Sequence, residues 1–246
     1  MSNMILINHQ NSGSEFLHAI SDCSQKTEFH KELWWFLAAI LLLNAPLFIG
    51  LPLPGLMFFP DAIANGDWWR LATHPFVHVS WYHLLLDATA FLVLYHGLIQ
   101  KQLRVRLSYV AATGAGSLLA ALWAAPTIGQ LGFCGLSGVA HGLMAIAALE
   151  WMVIHQKDKL IFRLGVLSFI IVTAKCFWEA ATSQALAGFL HFSLMGTPIV
   201  VCHAGGVVGG VAAFALRSFW REKETVTGKH FSNSLKDFSS DKRIHR

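Results

Sequence analysis

Six apolar stretches alternate with short polar or glycine- and proline-bearing segments along this chain. The first, Leu33 to Leu51, contains no charged residue and is long enough to cross a bilayer as a helix. Asn44 and Pro46 fall inside it and predict a kink. Five more stretches run over about 77–98, 107–125, 136–155, 160–180 and 198–216. Residues 52–73 break the pattern with three prolines, Asn65-Gly66 and Trp68-Trp69-Arg70. That segment is too apolar for a solvated loop, and its tryptophans predict a place at the membrane interface. Residues 1–32 are polar, with no basic region leading into a short apolar run and small-residue cleavage site, so no cleaved signal peptide is expected. The pattern predicts an all-α polytopic membrane protein. It comprises a cytoplasmic N-terminal segment (1–32), a six-helix membrane domain (33–216) and a basic, loosely ordered cytoplasmic tail (217–246).

Composition agrees and removes the soluble classes. Of 246 residues, 54% are hydrophobic and 13% charged, where a soluble chain carries about 25% charged; the mean hydropathy is +0.51. The net charge of +4 gathers in particular loops and the tail, which argues for membrane topology and against nucleic acid as a partner. Lys26 and Lys31 precede the first span, Lys101, Arg104 and Arg106 fill the second loop, and Lys157, Lys159 and Arg163 the fourth. The tail has eight basic residues, the first loop only Arg70, and the third and fifth loops none. Six helices with both termini in the cytoplasm satisfy the positive-inside rule at every loop. The third and fifth loops, at about 126–135 and 181–197, then face the periplasm or its equivalent. Cys23, Cys134, Cys176 and Cys202 show no C-x-x-C spacing, so neither a zinc knuckle nor a disulfide scaffold is indicated.

Polar groups inside the spans carry the chemistry, because ionisable side chains in a bilayer are costly and usually face a cavity. Gly135-Leu136-Ser137-Gly138 opens the fourth helix on the non-cytoplasmic side. Its glycines let a substrate backbone approach, and the helix N-terminus offers free N–H groups to a developing oxyanion. Taken alone the tetrapeptide is weak, and a capping serine explains it. Cys202-His203 opens the sixth helix, followed by glycines at 205, 206, 209 and 210. Their doubled G-x-x-x-G spacing permits close helix approach, and packing alone would account for them. Yet Ser137 and His203 begin helices on one membrane side, and together they make the minimum nucleophile–base pair. The third place is the histidine-rich entry to the second helix, where His83 and Asp87 share a face at i,i+4. With His74 and His78 they could hold zinc or iron; a pair of polar donors lining a cavity is preferred, and no metal is assigned.

In order, Trp69-Arg70, the histidine-rich second helix, Gly135-x-Ser137-Gly138, and His203 with Gly206 and Gly210 resemble the rhomboid intramembrane serine proteases. The resemblance covers roughly residues 33–216. The fuller strings Gly-Leu-Ser-Gly-Val-Ala-His-Gly-Leu and Trp178-Glu179 through Pro198 to His203 look closest to the rhombosortase subgroup. Those enzymes are associated with bacterial surface proteins bearing a C-terminal Gly-Gly sorting segment. The resemblance implies a six-helix bundle in the bacterial inner membrane, with transmembrane or membrane-anchored proteins as substrates and no cofactor. It implies Ser137 as nucleophile and His203 as general base, in a dyad without a carboxylate partner. His83 and the Ser137 backbone N–H would form the oxyanion hole, and Trp69 and Arg70 the embedded loop.

Two positions depart from the common pattern. Many rhomboids have asparagine where this chain has Asp87, and an aromatic often stands at the position of His141. Asp87 is read as a neutral hydrogen-bond donor, with an ionised partner that orients His83 as the alternative. His141 lies at i+4 from Ser137, where it either packs on His203 or serves plain helix packing. Lys175 and Glu179 read as an i,i+4 pair neutralising itself within the fifth helix. Glu150 lies too far down its helix to join Ser137. Cys134 and Cys202 are read as buried apolar thiols, with a disulfide as the alternative. Two other functions compete: a proteolytically inactive rhomboid-like protein that binds membrane clients, and a metal- or haem-binding protein built on the second-helix histidines.

Overall fold

The computed structural model describes residues 31–186 and 199–220. The described residues form helices α1 (31–43), α2 (Pro60–Ala64), α3 (Arg70–Thr73), α4 (Trp81–Gly97) and α5 (Leu103–Ala124). These are followed by α6 (Ile128–Leu131), α7 (Ser137–Ile154), α8 (Lys159–Thr182) and α9 (Val201–Trp220). Four of them, α5, α7, α8 and α9, are long and apolar enough to cross a membrane. A fifth span results if the pair Arg70–Phe76 and Trp81–Gly97, bent by 95°, counts as one. The chain is therefore an all-helical, multi-pass membrane protein. The expected N-terminal segment up to residue 30, most of the fifth loop (187–198) and the tail beyond 220 lie outside the described residues.

Two predicted spans begin or end differently. The first, Leu33 to Leu51, leaves α-helical geometry after residue 43 and continues as a 3₁₀ turn over Ala45–Ile49. Asn44 and Pro46 cause this. The Asn44 amide donates to the carbonyls of Ile40 and Phe76 at 2.7 Å each and accepts the His78 N–H at 2.8 Å. The side chain thus ties α1 to the segment before α4 rather than continuing a helix. The second predicted span, 77–98, starts at Trp81. Ser80 is its N-cap, accepting the His83 N–H at 3.2 Å, and Pro75 stands in the turn before it.

The first loop is folded on itself and tied to the segment before α7. Arg70 donates to the carbonyls of Pro54 (2.7 Å) and Met57 (2.8 Å) and pairs with Asp67 at 2.9 Å. Its role is to fold the loop on itself, while Trp68 and Trp69 stay more than half exposed, as an interfacial segment requires. Phe58 and Phe133 exchange both backbone hydrogen bonds, at 2.9 and 2.8 Å, as an isolated bridge, so the loop also anchors the segment entering α7.

At the opposite end, Arg106 is not the loop charge that the sequence suggests. It is fully buried, 3.3 Å from Glu32 and bonded to the Tyr95 carbonyl at 3.1 Å. Glu150 accepts the N–H groups of Ile99 (2.6 Å) and Gln100 (3.1 Å). It caps the loop between α4 and α5, away from Ser137.

Helix α7 is central: half of its membrane window is buried, against 17–33% in the other three. It packs against α4, α5 and α8. Helix α9 reaches it through the doubled glycine stripe. A Cβ at Gly206 would overlap the Gly138 carbonyl, and one at Gly210 would press on the Gly142 carbonyl at 2.7 Å. The other stripe, Gly205 and Gly209, lies against the backbone of Gly116 and Ala112 on α5. One helix face thus meets two neighbours at backbone contact, the arrangement small residues permit in membranes. We expect Gly206→Val to lower stability by about 1–3 kcal/mol or more, as forced overpacking does. Thermal unfolding in detergent reads this, with Gly97→Ala, where a Cβ meets open space, as the neutral control.

Candidate active site

The close crossing of α7 and α9 brings their first turns together. Ser137 is the first residue of α7 and half-buried. Its Oγ lies 3.9 Å from Cys202 Sγ, next to His203 in the chain. Ser137 has no hydrogen bond to His203 in this structure. Catalytic hydrogen bonds are often long or poorly aligned before substrate binds.

His203 is held from two sides. Its ring stacks on His141 with centroids 4.1 Å apart and planes 19° from parallel. His141 therefore packs on His203, one of the two readings open from its position. His141 Nδ1 lies 2.7 Å from the Ser137 carbonyl and its Nε2 2.8 Å from Lys175 Nζ. Lysine only donates, so Nε2 is the acceptor and Nδ1 carries the proton given to Ser137. His203 Nδ1 lies 2.6 Å from Glu179 Oε2, and Glu179 is 1% exposed.

That contact corrects the sequence reading. The histidine has a carboxylate partner, and the Lys175–Glu179 pair is not closed on itself. Lys175 donates to both Glu179 oxygens at 2.7 Å, and the Leu186 N–H reaches Oε1 at 3.0 Å. A signal was present in the chain. An ionisable pair in a span points to function by default, and alternating helices put the end of the fifth at the depth where the fourth and sixth begin.

The turn before Ser137 lies against His83 and Asp87. Gly135 has φ +104°, and a Cβ there would stand 2.9 Å from both His83 Nε2 and Asp87 Oδ2. Both the backbone angle and the space therefore require glycine. The Gly135 N–H is held by the His74 carbonyl at 3.1 Å, which fixes the turn into α7. The first N–H groups of α7 have no intrahelical acceptor. They begin two residues after Gly135, the position that His83 Nε2 faces. Asp87 Oδ2 is 3.2 Å from His83 Nε2 and 3.5 Å from His78 Nε2, both contacts poorly aligned as hydrogen bonds. A carboxyl oxygen facing two imidazole nitrogens can accept from either or, when protonated, donate to one.

His74 turns elsewhere. Its Nδ1 meets the Arg70 carbonyl at 3.0 Å and its ring packs between Phe58 and Phe133. It does not join His78, His83 and Asp87 as a ligand set. Among the described residues, His141, Cys176 and Glu179 present ligand-type atoms within 4.8 Å of one another. The Lys175 ammonium already bonds two of the three, supplying the positive charge there. Cys134, Cys176 and Cys202 are free thiols.

The serine at the start of one glycine-packed helix and the histidine at the start of another lie inside the part of the chain that known families recognise. Residues 65–220 match the Rhomboid domain. No curated protein and no solved structure matches the chain significantly. The match spans more than half the sequence and takes in α3 to α9, with every residue of the candidate site. This chain belongs to the rhomboid family, whose members are intramembrane serine proteases.

Proposed function

We propose that this chain is an active serine-type endopeptidase that cleaves a peptide bond in or near the transmembrane segment of membrane-anchored proteins. Ser137 is the nucleophile and His203 the general base. Ser137 Oγ attacks the scissile carbonyl while its proton passes to His203 Nε2. The Ser137 backbone N–H and His83 receive the oxyanion. As the C–N bond breaks, His203 returns the proton to the leaving amine. Water then attacks the acyl-enzyme with His203 again as base, releasing the new carboxyl terminus and restoring Ser137. The observation that supports this best is the backbone contact between Gly138 and Gly206, which sets Ser137 beside Cys202-His203.

The likeness to the rhombosortase subgroup makes surface proteins with a C-terminal Gly-Gly sorting segment the preferred substrate class. The full bundle has six spans in a bacterial inner membrane with both termini cytoplasmic, as the loop charges require. Reporter fusions after residue 220 are expected to read cytoplasmic, and fusions in loop 126–135 periplasmic. The inactive client-binding reading rests on Asp87. Purified protein reconstituted with a membrane-anchored reporter carrying such a segment separates the two. Cleavage by wild type and none by Ser137→Ala supports the protease; an intact reporter supports the client binder.

A further inference from the structure

Four side chains from α7, α8 and α9 form one connected polar network at the depth of Ser137. Glu179 stands at its centre and is buried to 1% exposure. Lys175 alone would neutralise it, donating to both oxygens at 2.7 Å. Nevertheless Oε2 also takes His203 Nδ1 at 2.6 Å, the shortest contact in the network. A carboxylate has no proton to give, so Nδ1 carries the hydrogen. The other nitrogen, Nε2, is then the unprotonated one. That tautomer is what a general base acting on a serine needs.

Lys175 fixes the carboxylate from the opposite side. It is bonded to both Glu179 oxygens and to His141 Nε2, while His141 is bonded to the Ser137 carbonyl and stacked on His203. Glu179 therefore cannot turn away from His203 without breaking contacts to Lys175 and to the Leu186 N–H. The other titratable groups nearby, Cys176 and Cys202, are free thiols, and Cys202 also contacts the His203 side chain; a neutral thiol is a weak acceptor beside a carboxylate.

We propose that Glu179, clamped by Lys175, is a positioning residue that holds His203 as the Nδ1–H tautomer and leaves Nε2 free to take the Ser137 proton. The catalytic part of this rests on the protease reading; the tautomer does not. The site becomes a serine–histidine–glutamate arrangement in which the carboxylate comes from α8. Glu179→Gln keeps the volume but can offer an amide N–H to Nδ1, favouring the wrong tautomer. Loss of the carboxylate in a soluble serine protease by the same kind of change lowers kcat about 10⁴-fold with the geometry intact. The expected result here is a fall in kcat of about 10³–10⁴-fold with KM little changed.

The deciding measurement is nitrogen-15 NMR of histidine-labelled full-length protein in detergent micelles, recorded at alkaline pH where the imidazole is neutral. His203→Ala assigns the signal. Wild type and Ser137→Ala are expected to show His203 protonated at Nδ1, and Glu179→Gln to lose that state. Protonation at Nε2 in wild type, or an unchanged tautomer in Glu179→Gln, would overturn the proposal. Because wild type is itself informative, the test survives a variant that folds poorly. Turnover is read in parallel. Glu179→Gln cleaving at the wild-type rate refutes the positioning role, whereas a wild type unreactive at Ser137 refutes the protease reading and leaves the tautomer result standing.

Discussion

Ser137→Ala and His203→Ala are each expected to abolish cleavage while the protein still inserts and folds. The unfolding temperature is expected to be unchanged in Ser137→Ala and lowered in His203→Ala, which loses a buried partner of Glu179. Removing the nucleophile or base of a serine protease costs on the order of 10⁶-fold in kcat, and the two losses do not add. The double variant is therefore expected to be no worse than either single one. Among the described residues Ser137 Oγ has only the 3.9 Å thiol contact, and the glycine contacts between α7 and α9 involve backbone atoms, so loss of the hydroxyl leaves the packing intact. His203→Ala also gives up the Glu179 contact and the His141 stack. A stable fold with lost activity is what separates chemistry from packing here. Partial losses that multiply in the double variant would mean that the two residues act independently.

His83→Ala is expected to lower kcat by about 100- to 1000-fold, the usual loss for one oxyanion donor. Its Nε2 stands beside the cramped turn at Gly135, where a substrate carbonyl entering toward Ser137 would find it. We propose that Asp87 acts through it, since the carboxyl group lies 3.2 Å from His83 Nε2 and 3.5 Å from His78 Nε2 and is placed to orient both imidazoles. Asp87→Asn is accordingly expected to cost less than His83→Ala and to add nothing in a His83→Ala background. A further tenfold loss in that double variant would give Asp87 a role of its own. Single-turnover rates on the reconstituted reporter read both.

Much of this was legible because periodicity and small residues leave strong marks. The spans at 107–125, 136–155 and 160–180 reappear within a few residues as α5, α7 and α8. The glycines after His203 correctly signalled a close helix crossing, though not that two neighbours share it. The ends of the first and second spans were less readable. There a single buried amide, Asn44, joins residues 32 and 34 positions away, and no local pattern encodes such a bond. Arg106 misled for a similar reason: its position suits a cytoplasmic loop, yet its guanidinium turns inward to Glu32.

Glu179 is the most instructive miss. In sequence it has a perfect local partner in Lys175, and that pair exists. A carboxylate has room for more than one donor, however, and the third element, His203, is 24 positions away on another helix. Local neutralisation satisfies the charge but does not exhaust the acceptor. A buried ionic pair at catalytic depth therefore calls for a search among the other helices before it is read as inert.

The central claim is that Ser137 is a nucleophile activated by His203. It is tested most directly by treating the purified full-length protein with a serine-reactive phosphonate and locating the adduct by mass spectrometry. The account predicts one covalent adduct on Ser137, absent in Ser137→Ala and strongly slowed in His203→Ala. Wild-type protein that stays folded yet forms no adduct at Ser137, or one labelled equally well without His203, would contradict it.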